Sequence, residues 1–242
     1  MTRPSGRKRN ELREVKIETD VNKYAEGSCI ISCGNTKILC TATVEEKLPP
    51  FLKNANKGGW VTAEYSMLPR STKDRIQREI SVGKPNGRSS EIQRLIGRSL
   101  RGCVDLKLLG ERQIIIDCDV LQADGGTRCA SITGGYVALE LAIRKLLRDR
   151  TIKTNPIINS ISAVSCGIFK GNTVLDLDYD EDSNSEADVN FVVNNNMEII
   201  EVQGTAEGKP FSFARLEEMY SLASEGARRL MEKQAEVLDC KK

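Results

Sequence analysis

Apolar positions recur along this chain in two rhythms, one of period two and one near 3.6 residues. The short apolar runs SCIIS and KILCTATV flank Cys33-Gly34-Asn35-Thr36, which predicts a hairpin whose register is set by a Gly-Asn turn. WVTAEYSML alternates Val61, Ala63, Tyr65 and Met67 with Trp60, Thr62, Glu64 and Ser66, and so predicts a third strand. A glycine-bearing loop, KNANKGG, precedes it after Pro49-Pro50. From Pro69 to Gly87 no apolar period is sustained, so a long mobile loop is expected. A helix follows: Ser90 and Gln93 form a capping-box pattern, and Ile92, Leu95, Ile96, Leu100, Cys103 and Val104 make a stripe ending near Gly110.

The stretch from Gln113 to Leu147 organises the rest. Ile114, Ile115, Ile116 and Val120 suit a strand covered on both faces, and Ile132, Tyr136, Leu139, Ile143 and Leu146 recur at helical spacing. Between them LQADGGTR is polar and tight. In the second half, SISAVSCGIF and TVLDLDYD predict a hairpin around Lys170-Gly171-Asn172, and FVVNNNMEIIEVQ another around an Asn-rich turn. Ser212 to Met231 predicts a closing amphipathic helix with Leu216, Met219, Ala223, Ala227 and Leu230 inside. The chain is thus expected to be mixed α+β in two halves, 1–150 and 151–242, each a strand set followed by a long helix.

Composition narrows the chemistry. The 242 residues, 39% hydrophobic and 29% charged, fit one large domain or two packed halves, with no apolar run long enough to cross a bilayer. The basic N-terminus has no apolar segment after it, so a cytoplasmic location without membrane attachment is expected. The eight cysteines lie mostly in apolar runs without a CxxC pair, as small buried hydrophobes in a reducing compartment do. With no histidine at all, His nucleophile activation, His general bases and His metal ligands are excluded.

The net charge is only +2, but the charges are segregated. Arg3, Arg7, Lys8, Arg9 and Arg13 form a basic arm, either solvated or touching nucleic acid. Arg70, Lys73, Arg75, Arg78, Lys84, Arg88, Arg94, Arg98 and Arg101 follow in a stretch with three acids; Arg94, Arg98 and Arg101 share a helix face that is either solvated or RNA-facing. In the central turn, Gly125 and Gly126 let the backbone approach a ligand, and Thr127 and Arg128 open a helix with free amides, an anion site in the making. The bland reading is a strand-to-helix turn with Arg128 solvated. Asp176, Asp178, Asp180, Glu181, Asp182, Glu186 and Asp188 crowd together, either as a solvated acidic turn or as oxygen ligands for magnesium or manganese. Phosphate, a divalent ion and a basic groove together suit phosphoryl transfer on a nucleic acid.

Taken together, MTRPSGR, LCTATVEE, FLK, GWVTAEYSMLPRST, GRSSEIQRLIGRSLR, DCDVLQADGGTR followed by ASITG, LDLDYDEDSNSEADVN and IIEVQGTAEG resemble the bacterial ribonuclease PH family over nearly the whole chain. The resemblance implies a single ribonuclease PH unit with the ribosomal protein S5 domain 2-like fold, mixed sheets packed with helices in two similar halves. It implies a phosphate-dependent 3′ to 5′ exoribonuclease that trims the 3′ extension of precursor transfer RNA, releases nucleoside diphosphates, runs in reverse from them, and assembles as a hexameric ring, a trimer of dimers. By the same resemblance Arg88, Gly126, Thr127 and Arg128 hold inorganic phosphate, Asp182 and Asp188 hold magnesium or manganese, and Arg70, Arg75 and Arg78 contact RNA. Cys129 follows GGTR where the family favours Thr. Two rival readings are a ring subunit that binds RNA without cleaving it and a metal-dependent hydrolytic exonuclease.

Overall fold

The computed structural model describes residues 3–52, 58–83 and 86–240; most of KNANKGG, and Lys84 of the basic stretch, lie outside these residues. Alternation at Val15, Ile17 and Thr19 makes a first strand, β1 (Val15–Thr19), which the sequence hides inside a charged segment. The expected hairpin follows as β2 (Gly27–Cys33) and β3 (Thr36–Glu45), paired antiparallel with Cys33 opposite Thr36 and Gly34 at positive φ. The alternating stretch is β4 (Trp60–Met67). The segment expected as a loop carries one short helix, α1 (Glu79–Val82).

The next helix, α2 (Gly87–Arg101), departs from the capping expectation. Its N-cap is Asn86, whose side chain accepts from the Arg88 amide, so at Ser90 the helix is already under way. It also stops at Gly102 rather than near Gly110, and a separate turn, α3 (Leu106–Leu109), is capped by Asp105. Strand β5 (Gln113–Gln122) then pairs with β3 antiparallel and with β4 parallel, giving a five-stranded sheet in the order β1-β2-β3-β5-β4.

Helix α4 (Thr127–Arg148) crosses this sheet and is buried along most of its length. Its apolar character on every side has a cause: a second sheet lies on its far side. That sheet holds β6 (Ile161–Phe169), β7 (Asn172–Leu175), then, after the short α5 (Tyr179–Asp182), β8 (Ala187–Asn194) and β9 (Ile199–Ala206), in the order β7-β6-β8-β9. Every residue of β6 is buried, because one face meets α4 and the other meets α6 (Phe213–Asp239). Ala163 bonds Thr133 of α4, while the Ser162 hydroxyl donates to the Ala227 carbonyl of α6. The α+β class and the two sheet-and-helix halves are as expected; α6 begins at its Ser212 cap and runs eight residues past Met231.

The closeness of α4 to the first sheet depends on Gly27. A methyl group there would press on the Ala138 carbonyl oxygen and stand 2.7 Å from the Ala142 nitrogen, both backbone atoms of α4. Backbone cannot step aside as a side-chain tip can, so Gly27→Ala is expected to destabilise by about 3 kcal/mol. Thermal melting is the check, with a fall of roughly 10 °C expected; a change under about 2 °C would mean the helix can lift from the sheet.

Candidate active site

The turn between β5 and α4 is built by backbone. Gly125 and Gly126 both take positive φ, 75° and 67°, where a side chain would be strained and where a Cβ on Gly125 would strike the backbone of Leu177 and Asp178. Gly126 caps α4 in the left-handed conformation with no side-chain hydrogen bond. The first amides of α4 therefore keep no side-chain acceptor, and the positive end of the helix dipole faces the same way.

Around this turn the fold gathers a cleft of about 1070 Å³. Arg88 reaches it from the first turn of α2; Gly125, Gly126, Thr127 and Arg128 from the head of α4; Asp182 from α5, Asp188 from β8 and Gln203 from β9. Six residues expected at the phosphate and metal sites, Arg88, Gly126, Thr127, Arg128, Asp182 and Asp188, thus line one cleft, although they span both halves of the chain. Arg70, Arg75 and Arg78 do not line it. They stand exposed on the loop after β4, whose Thr72, Lys73, Asp74 and Ile76 form one wall, and Arg70 donates to the Lys73 carbonyl at 3.1 Å.

The electrostatics tie these groups together. Desolvation raises the Asp182 carboxyl above its usual range, Asp188 raises it further, and Arg128 and Arg88 pull it back. Because the Asp182 side chain is open to solvent, the repulsion from Asp188 is the more telling cause. Two carboxylates that repel across a cleft are relieved by a cation. Among the described residues no three acid or thiol groups converge as a metal cage, but this pair suits a hard ion that takes one or two carboxylates and completes its shell with phosphate and water. The pair fits magnesium or manganese.

Three residues of the site carry no signal in their spacing. Tyr65, on the buried face of β4, shares a 2.9 Å hydrogen bond with the Thr127 hydroxyl; burial pushes its phenol up against the opposing effects of Thr127, Arg88 and Arg128. A buried Tyr needs such a partner, which is the one clue the alternation offers. Gln203 accepts from Arg128 and donates to Glu91. Asn190 accepts from the Cys129 thiol at 3.1 Å, and burial pushes that thiol up to about 12, so the departure from Thr leaves an inert hydrogen-bonding group beneath the turn.

Three of the five cations of the basic arm, Arg3, Arg7 and Arg13, are folded into the protein, while Lys8 and Arg9 stay exposed. Arg3 and Arg13 are 2% and 9% exposed. Arg3 grips Glu181 through two 2.6 Å bonds, Arg7 bridges Asp176, Asp178 and Glu181, and Arg13 meets Asp176 at 2.7 and 3.0 Å while donating to the carbonyls of Asp124 and Gly125. The acidic cluster is thereby divided. Asp176, Asp178 and Glu181 serve the arm, and Asp182 and Asp188 face the cleft. Of the helix trio, Arg94 and Arg98 are both exposed, Arg98 pairing with Glu201 at the surface, while Arg101 lies over the Trp60 ring.

Residues 11–144 match the first domain, and residues 159–226 the second domain, of the 3′ exoribonuclease family described by the RNase_PH models. Ribonuclease PH of Caulobacter vibrioides is 58% identical over 228 residues, which is 94% of this chain and 95% of that protein. Among solved structures, rice (Oryza sativa) Rrp46 superposes with a TM-score of 0.79 at 17% identity, covering 98% of this chain and 100% of that one. A chain of the Archaeoglobus fulgidus exosome with RNA bound to the active site gives 0.79 at 20% identity, covering 96% and 92%. At such identities these two likenesses speak for the fold alone.

Proposed function

This chain belongs to the ribonuclease PH family of phosphorolytic 3′ exoribonucleases, and from that premise we propose that its substrate is the 3′ extension of precursor transfer RNA, with inorganic phosphate as co-substrate. The observation that carries the reading is the meeting of Arg88, Arg128 and the uncapped head of α4 with Asp182 and Asp188 in one cleft. Phosphate bound to Arg88, Gly126, Thr127 and Arg128 would be held by two guanidinium groups and helix amides. One of its oxygens attacks the phosphorus of the last linkage, the bond to the 3′ oxygen of the preceding nucleotide breaks, and that oxygen takes up a proton. The products are a nucleoside diphosphate and an RNA one residue shorter. Phosphate is already an oxyanion at neutral pH, so a chain without histidine needs no side-chain base to activate it.

Asp182 and Asp188 would hold magnesium or manganese, whose chemistry there is to neutralise charge on phosphoryl oxygens. Arg70, Arg75 and Arg78, beside the mouth of the cleft, would meet RNA phosphates farther from the end, giving affinity without sequence preference. Several such loops around one opening would grip RNA better than one, which supports a homohexameric ring built as a trimer of dimers. Seven buried free thiols and a transfer RNA substrate support a cytoplasmic location.

The test is product analysis on a transfer RNA with a short 3′ extension, with magnesium, with and without inorganic phosphate. Nucleoside diphosphates released only with phosphate, and 3′ ends lengthened when diphosphates are in excess, are expected. Monophosphates without phosphate would replace phosphorolysis by hydrolysis, and no product in either arm would favour a binding-only ring subunit.

A further inference from the structure

Gln203 lies on β9, half-buried in the wall of the cleft, and its amide joins two opposite charges. Its Oε1 accepts from Arg128 Nη1 at the head of α4, and its Nε2 donates to Glu91 Oε1, one turn beyond Arg88 on α2. The partners fix which end of the amide is oxygen, since a guanidinium only donates and a carboxylate only accepts. A glutamate at 203 would set like charges against Glu91, and a lysine would do the same against Arg128. The neutral amide, accepting at one end and donating at the other, satisfies both.

The consequence concerns Glu91. A carboxylate in the wall of an anion site repels the anion and competes for its arginines. With Gln203 interposed, Glu91 is satisfied by a neutral donor, and among the described residues Arg128 makes no ion pair. Engaging Nη1 leaves Nε and Nη2, the edge of the guanidinium that takes two oxygens of one anion, without a hydrogen bond among the described residues.

We propose that Gln203 is a positioning residue for phosphate, which orients Arg128 and insulates it from Glu91. The inference rests on the reading of Arg128 as a phosphate ligand. It is tested with Gln203→Met, which keeps length and volume but neither hydrogen bond, and with the exchanged pair Gln203→Glu/Glu91→Gln, which keeps the hydrogen bonds and net charge but places a carboxylate against Arg128. Steady-state kinetics would be measured with phosphate and RNA varied separately, with thermal melting alongside.

Gln203→Met is expected to raise KM for phosphate about tenfold, as loss of a hydrogen bond to a charged group does, with KM for RNA within about twofold of the original. The exchanged pair is expected to melt with the unaltered enzyme and still to show a raised KM for phosphate. An unchanged phosphate KM in Gln203→Met, an equal rise in both KM values, or full recovery of phosphate affinity in the exchanged pair would each overturn the inference. Failure of the underlying reading looks different: the unaltered enzyme would then release monophosphates without phosphate.

Discussion

Arg128→Ala is expected to lower kcat/KM for phosphate by about a thousandfold, the scale on which a preorganised group facing transition-state charge acts. The side chain is half-buried in the cleft, steadied at one nitrogen by Gln203, and adjoins the α4 amides that Gly126 leaves uncapped. Its removal takes away the fork proposed to meet phosphate. It also leaves Asp182 and Asp188 facing each other with Arg88 as the remaining cation drawing on Asp182, so the Asp182 carboxyl should titrate still higher. Arg128→Lys restores charge without the fork and is expected to recover only a small part of the rate. The fold should not suffer, because α4 is anchored by its buried length between two sheets. Phosphate-dependent kinetics with thermal melting decide the matter. Activity within tenfold of the unaltered enzyme, or a melting temperature lowered by more than about 5 °C, would remove Arg128 from this role.

Asp176→Asn is expected to cost about 3 kcal/mol of stability at neutral pH, which for a chain of this size is a melting temperature roughly 10 °C lower. Asp176 is 7% exposed and accepts from the Arg13 amide at 2.8 Å as well as from its guanidinium. Asparagine is the right replacement because φ at 176 is 54°, a conformation asparagine tolerates, so the variant isolates the charge from backbone strain. What it leaves behind is a buried Arg13 facing a neutral amide. Burial alone would raise the Asp176 carboxyl, but the attraction of Arg13, its hydrogen bonds and Arg7 outweigh burial and hold it below the ordinary value. A carboxyl so depressed contributes fully above the ordinary range near pH 4, and the contribution fades as pH falls through the folded-state value. The gap between the unaltered protein and Asp176→Asn, measured by urea unfolding, should therefore narrow on acidification below about pH 4. A gap independent of pH would show that shape, not charge, is what the residue supplies.

Local rhythm made much of this architecture legible. The β2-β3 and β6-β7 hairpins, the alternation of β4 and the long α4 all follow from patterns within a few residues of one another. Where two local signals competed, the reading slipped: Ser90 carries a capping pattern, but Asn86 lies earlier and takes the cap. β1 was hidden because five residues with two charges in them look like the rest of the arm. Arg88, Gly126, Thr127, Arg128, Asp182 and Asp188 were legible through motifs that a family resemblance joins, and the cleft brings them together. Partnerships across the sheets were not legible. Nothing near Gln203 in sequence points to Arg128 or Glu91, and nothing near Arg3 points to Glu181.

Those distant partnerships set an order on biosynthesis. Arg13 is made 163 residues before Asp176, and Arg3 waits 178 residues for Glu181. At ordinary translation rates that delay is roughly ten to thirty seconds. Over the last part of it, once Gly126 has been made, the nascent chain holds the anion turn but lacks Asp176 to seat Arg13 beneath it, and it lacks Asp182 and Asp188 altogether. With the site assigned as proposed, a polypeptide emerging among transfer RNAs and ribosomal RNA carries no working nuclease until its later half has been made and has packed against the first.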